Sequence, residues 1–195
     1  MSTSGQKKPP YHHGDLRSAL LRAAGEILEK QGPEGIVLRE VARRAGVSHN
    51  APYRHFPSRD ALLAALAAEG FAEFGARMQS QAGAVMGEAY VSFALERPQR
   101  FRLMFGGTVK LGSDPALARA ASGAYEGLVA AFRARGDVAD PETAAAAAWS
   151  LVHGLSHLLL AGHFPQATAG GAQRAEFIRK VTGAVRFAAA PQRTA

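Results

Sequence analysis

The sequence has no cysteine in its 195 residues. Disulfide scaffolds, Cys-ligated zinc sites, thiol nucleophiles and Cys-bound iron–sulfur clusters are therefore excluded. No unbroken apolar run approaches the ~18 residues needed to cross a bilayer. The start, MSTSGQKKPPYHHGDLR, lacks the apolar centre of a signal peptide. The expectation is a soluble cytoplasmic protein with no membrane partner. Acids are scarce: 16 Asp and Glu stand against 23 Lys and Arg, a formal net charge of +7. Such a balance favours polyanions, nucleic acid or anionic lipid, without choosing between them. Alternating strand patterns and internal repeats are also missing. With 47% hydrophobic residues the chain can still bury a sizeable core.

What is present is helical periodicity, which predicts an all-α chain. Residues 1–10 read as a disordered basic arm. From Leu16 the apolar residues Leu20, Ala23, Ala24 and Ile27 recur at helical spacing, with Asp15 as a candidate cap and Gln31-Gly32-Pro33 as a stop. A second helix is expected from about Val37 to Ala45, and a short third one after Ser48. Ser58 can cap a long fourth helix through Leu62, Leu63 and Leu66. A helical period continues over 71–96 and breaks near Arg97-Pro98. Asp114-Pro115 opens another helix that ends at Arg135-Gly136. Asp140-Pro141-Glu142 combines an N-cap, a first-turn proline and a first-turn carboxylate, and launches an apolar stretch over 143–164. Residues 165–171 read as a loop, and 172–189 as a final amphipathic helix.

The positive charge is uneven. Residues 1–60 hold ten Lys and Arg against six acids, a net +4; the remaining 135 residues carry only +3. Within the first part, Val41, Ala42 and Ala45 form the inner face of a helix that Gly46 ends. Val47 can plug the angle between two helices and Ser48 can cap the next. This is the physical recipe of a helix-turn-helix. The following segment, His49-Asn50-Ala51-Pro52-Tyr53-Arg54-His55-Phe56, is rich in hydrogen-bond donors and contains no acid.

The clustering of Val41-Ala42-x-x-Ala45-Gly46-Val47-Ser48, Tyr53-x-His55-Phe56 and Leu62-Leu63 resembles the DNA-binding domain of TetR-type transcriptional repressors. Further segments resemble one subgroup: Tyr11-His12-His13-Gly14-Asp15-Leu16-Arg17, Ala89-Tyr90-Val91-x-Phe93-Ala94, Phe101-Arg102-Leu103-Met104-Phe105 and the Trp149-x-x-x-His153-Gly154 signature. The resemblance implies a helix-turn-helix domain at 11–60 and a helical effector-binding and dimerisation domain at 61–195. By position it makes Arg39, His49, Asn50 and Ala51 base-reading candidates and counts Ser48 among the DNA-binding residues. Tyr53, Arg54, His55 and Arg59 become phosphate contacts, with Lys7, Lys8, His12 and His13 following the backbone or a groove. Two departures matter: Val37 stands where Ser or Thr usually caps the second helix, and Arg59 stands where Lys is common. Any one of these side chains can instead be a solvated surface group.

The resemblance also implies a small-molecule effector, still unidentified, and a homodimer joined through about 141–164 and 172–189; it implies no other cofactor. Phe71, Phe74, Met78, Met86, Tyr90, Phe93, Phe101, Met104, Phe105 and Trp149 are large residues from four segments that can line an apolar pocket, with His153 beside them. Ordinary core is the alternative for each. His153, His157 and His163 can alternatively hold a metal ion in a hydrolase, although His-Gly-Leu-Ser-His lacks the Glu of the zinc protease motif. A lipid-binding all-α module is a third reading. Ser150 and Ser156 have no nucleophile elbow around them, so no catalytic residue is expected.

Overall fold

The computed structural model describes residues 13–81, 84–168 and 171–187. The elements are α1 (His13–Gln31), α2 (Leu38–Arg44), α3 (Arg59–Gln79), α4 (Ala84–Glu96), α5 (Pro98–Phe105), α6 (Pro115–Arg135), α7 (Pro141–Leu160), α8 (Pro165–Thr168) and α9 (Gly171–Ala184). Single 3₁₀ turns lie at Pro33–Gly35, Pro52–Arg54 and Leu111–Ser113. The described residues contain no strand beyond a lone bridge residue, Val138.

The starts of α3, α6 and α7 follow from their caps. Ser58 Oγ accepts from the Ala61 N–H at 3.1 Å. Asp114 Oδ1 accepts from the amides of Ala116 and Leu117. Asp140 Oδ1 accepts from the Thr143 amide at 3.1 Å, and Gly136 ends α6 in the left-handed conformation. By contrast α2 starts at Val37 with no side-chain cap. A missing cap costs ~1 kcal/mol. Burying Leu38 and Val41 returns about 1.5–3 kcal/mol each, so packing decides in favour of the helix.

Several expected boundaries move. The first helix begins at His13, which puts Asp15 inside the first turn rather than at the cap. The apolar period over 71–96 is broken at Ser80, where α3 ends and a separate α4 follows. The segment expected as a loop after Phe164 contains the one-turn α8, and the last helix ends at Ala184. The expected third helix is only a tight sequence of turns. The Ala51 amide bonds the Ser48 carbonyl at 3.0 Å, and the His55 and Phe56 amides bond the Pro52 carbonyl at 2.9 and 2.8 Å. Pro52 has no N–H, so the bond that would join these turns into an α-helix cannot form.

One apolar core runs the length of the chain. Leu20, Ile27 and Leu28 of α1 meet Val41 of α2, Phe56, and Leu62, Leu63 and Leu66 of α3. The same cluster continues through Phe93, Phe101, Leu103 and Leu117 to Ile178. A smaller cluster joins Val129 and Phe132 of α6 to Val138, Ala144 and Ala145. The two long helices α3 and α6 lie against each other, α4 packs on α7 and α9, and α5 sits between α1, α3 and α4. By length and composition α7 is, among the described residues, the one helix that could cross a membrane, with mean hydropathy 1.2 and 33% of that stretch buried.

Candidate nucleic-acid interface and ligand cavity

The turn between α2 and the reading segment is built by hydrogen bonds that only certain residues permit. The Val47 amide reaches the Ala42 carbonyl at 3.0 Å, and the Gly46 amide reaches Arg43 at 3.2 Å. This is the Schellman closure of a helix, and it needs a left-handed residue at its corner. Gly46, at φ 70, supplies it. Val47 then packs against the core.

Beyond the corner Ser48, His49, Asn50, Tyr53 and Arg54 are all exposed, and Ala51 is half-buried. Arg39 is exposed in the first turn of α2. No ion pair among the described residues engages Arg39 or Arg54. The neighbouring arginines are occupied. Arg43 clasps Glu40 at 2.6 Å, and its hydrogen bonds hold the Glu40 carboxyl below the usual carboxylate range. Arg44 lies 3.7 Å from Glu26 and 3.9 Å from Glu40. Two guanidinium groups are therefore exposed with the hydrogen-bonding side chains of His49, Asn50 and Tyr53, and Glu34, which shares a hollow with Arg39 and Tyr53, lies 3.7 Å from Arg59. Such a set suits a duplex whose phosphates position and whose base edges specify.

Two residues expected on phosphate are half-buried. Arg59 Nε donates to the Ile36 carbonyl at 3.0 Å and Nη2 to the Pro33 carbonyl at 2.6 Å, with Glu34 at 3.7 Å. It ties the α1–α2 connection to the start of α3. His55 is half-buried, and its Nε2 is buried without a partner among the described residues. Lys7, Lys8 and His12 lie outside the described residues; only the backbone of His13 is described.

A cavity of about 950 Å³ opens in the second half of the chain. Seven of the expected lining residues meet there: Phe71, Phe74 and Met78 of α3, Met86 and Tyr90 of α4, Phe105 of α5 and Trp149 of α7. Phe93, Phe101 and Met104 do not line it; they are buried in the packing behind it. His153 is outside the lining but touches it through Tyr90. Sequence reasoning missed Tyr125, Leu128 and Phe132 of α6, and Val138, Val185 and Phe187. The α6 stripe Ala121, Tyr125, Leu128, Phe132 has helical spacing and was the available signal.

The polar part of the wall is small. Trp149 Nε1–H donates to the Tyr90 hydroxyl at 3.0 Å, and that hydroxyl lies 2.9 Å from His153 Nδ1. Burial pushes the Tyr90 phenol far up, against the opposing pull of the Trp149 hydrogen bond. Partial burial, with His157 as second cause, pulls His153 below its ordinary value. Both groups are neutral near neutral pH. The rings of His153 and His157 are 4.6 Å apart, but His163 lies beyond the end of α7. The described residues hold no group of three or more His, Asp or Glu placed to bind a metal.

Helix α5 lies between the cavity and α1. Phe105 faces the cavity. Arg100 and Gln99 press on α1 and the residue after it: a Cβ added at Gly25 would stand 2.9 Å from Arg100 Nη2, and one at Gly32 would stand 3.4 Å from Gln99 Oε1. Met104 fills the notch at Gly70 of α3, 2.7 Å from where a Cβ would be.

Comparison with known proteins finds two family-model matches. Residues 20–66 match the family model described as bacterial regulatory proteins of the tetR family, and 84–184 match a tetracyclin repressor-like C-terminal domain. An HTH-type transcriptional repressor of Mycobacterium tuberculosis is 31% identical over 61 residues, 31% of this chain and 32% of that protein. The class C tetracycline repressor protein of Escherichia coli is 47% identical over 51 residues, 26% of this chain and 23% of its own length. These alignments thus span no more than about a third of the curated relatives. A protein of unknown function from Rhodococcus sp. RHA1 has a TM-score of 0.74 at 34% identity, covering 91% of this chain and 94% of its own. A tetR-family transcriptional regulator from Streptomyces coelicolor has a TM-score of 0.68 at 20% identity, covering 88% and 79%, and shares the fold. The chain belongs to the TetR family of bacterial transcriptional regulators.

Proposed function

We propose that the protein is a homodimeric repressor that binds a palindromic operator and is released by a small molecule in the second-half cavity. Residues 11–60 act as the DNA-binding unit and 61–195 as the effector-binding and dimerising one. The observation that carries the reading is the exposed set Arg39, His49, Asn50, Tyr53 and Arg54, whose two guanidinium groups have no ion pair among the described residues while their neighbours Arg43, Arg44 and Arg59 are engaged. Arg39 suits a guanine edge, Asn50 an adenine edge, and Ala51 a thymine methyl. Two relatives named as repressors support repression over activation. The relatives whose printed names give a function are regulators, which supports a regulator rather than an enzyme. Work in the cytoplasm, on the nucleoid, follows from the target.

Dimerisation through α7 and α9 is supported by their surface. Leu158 of α7 is exposed, and so is Val185 just past α9, which also borders the cavity. Ala146, Ala147, Ser150 and Gly154 keep one side of α7 small, allowing close helix contact. Two-fold pairing would set half-sites about one or two DNA turns apart. Release is supported by α5, whose Phe105 borders the cavity and whose Arg100 bears on α1. A swing from mostly DNA-competent to mostly released needs about 5.5 kcal/mol of differential effector affinity. Gel shift with DNA from the protein's own promoter, run across a salt series, tests the proposal. Sequence-selective binding that weakens with salt is expected; binding without sequence preference refutes it.

A further inference from the structure

The cavity has a chemical bias beyond being apolar. A phenol hydroxyl has one proton to give and two lone pairs. At Tyr90 one lone pair takes the Trp149 N–H, and a second position is shared with His153 Nδ1. If Tyr90 donates to His153, one lone pair remains. If His153 donates to Tyr90, the phenolic O–H remains. A ligand hydroxyl, being donor and acceptor at once, satisfies the remaining position in either tautomer. A ligand carbonyl or an amine cation fits only one of them.

Charge points the same way. The charged lining groups are Arg135, Asp137 and Arg186, and two of them cancel: Arg135 bonds Asp137 at 2.8 and 2.9 Å. Arg186 turns back to the Gly183 carbonyl. An ion placed against Tyr90 would lose its hydration with no counter-charge beside it. The walls are rings set edge to face: Phe74 on Tyr90 at 5.0 Å and Phe71 on Phe105 at 5.2 Å. Such walls favour flat aromatic guests. A volume of about 950 Å³ holds more than one ring.

We propose that the cavity takes an uncharged, multi-ring aromatic compound bearing a hydroxyl that hydrogen-bonds Tyr90. This rests on the reading of the cavity as the effector site. Calorimetric titration of the full chain with para-phenylphenol, para-methylbiphenyl and para-phenylbenzoate tests it. The phenol should bind about tenfold tighter than either of the others. In Tyr90→Phe, phenol and methyl probes should bind alike. If that variant folds poorly, the ranking of the three probes on the unmodified chain decides alone. Tightest binding of para-phenylbenzoate, lost in Arg186→Ala, overturns the inference in favour of an acid ligand and leaves the effector reading standing. No binding by any probe also overturns it. Hydroxyl-selective binding that fails to displace operator DNA supports the ligand class and refutes the effector role.

Discussion

Replacing Arg59 with alanine separates two accounts of one guanidinium group. In the structure it donates to the Ile36 and Pro33 carbonyls, which belong to the connection between α1 and α2. A hydrogen bond from a charged donor contributes about 1.5–3 kcal/mol when buried. The Arg59 side chain is 41% exposed, so roughly half of that survives solvent competition. Two such bonds give a loss of about 2 kcal/mol in Arg59→Ala. The nearby Glu34 is 84% exposed and adds little. For a chain of this size the loss lowers Tm by about 4–8 °C. Thermal unfolding followed by circular dichroism, without DNA, measures it. Arg59→Lys should recover only part, because a single ammonium cannot reproduce a planar fork on two carbonyls. A phosphate contact predicts something else: unchanged Tm, weaker operator binding and a salt slope smaller by about 0.9. That outcome would refute the structural role.

Arg39→Ala should weaken operator binding by about 1–3 kcal/mol and relax preference at one base pair, whereas Arg54→Ala should weaken all sequences alike and reduce the salt slope by about 1; gel shifts on operator and scrambled DNA distinguish them. Leu158→Glu should convert dimer to monomer in analytical ultracentrifugation while leaving helicity intact; an unchanged mass would place the interface elsewhere. The Arg77 hydrogen bonds hold the Glu96 carboxyl below the usual range and join α3 to α4. A folded value lowered in this way adds stability above the unfolded value and loses it as pH falls through the folded one. Unfolding free energies from urea titrations of the original chain and Glu96→Gln should therefore differ by a few tenths of a kcal/mol near neutral pH and begin to converge as pH falls below about 4.3, with equal separation at every pH ruling the pair out.

The helix starts at Ser58, Asp114-Pro115 and Asp140-Pro141 were legible because capping is local chemistry: a side-chain oxygen meets amides two or three residues ahead. The corner at Gly46 was legible for the same reason. The break after Gln79 was obscured because the apolar period resumes beyond it, although polar Gln79-Ser80-Gln81 followed by Gly83 was a local signal for it. Pro52 was visible, but whether its segment forms a helix or a chain of turns depends on three neighbouring amides at once. Arg59 reaches carbonyls 23 and 26 residues back, a contact that only the folded chain creates. Phe93, Phe101 and Met104 are the same kinds of residue as those lining the cavity. Their place behind it depends on how α4 and α5 rotate against α3, which composition does not encode.

Trp149 is the chain's only tryptophan, and it stands in the cavity wall against Tyr125 and Phe105. Excited at the red edge of its absorption, the protein therefore emits from one place. An occupant of the cavity would change that emission directly, while an additive on the reading face 95 or more residues earlier in the chain would leave it nearly unchanged. The fold thus carries its own fluorophore at the point where a regulatory compound would enter, and a compound collection can be screened by light without a label or any DNA.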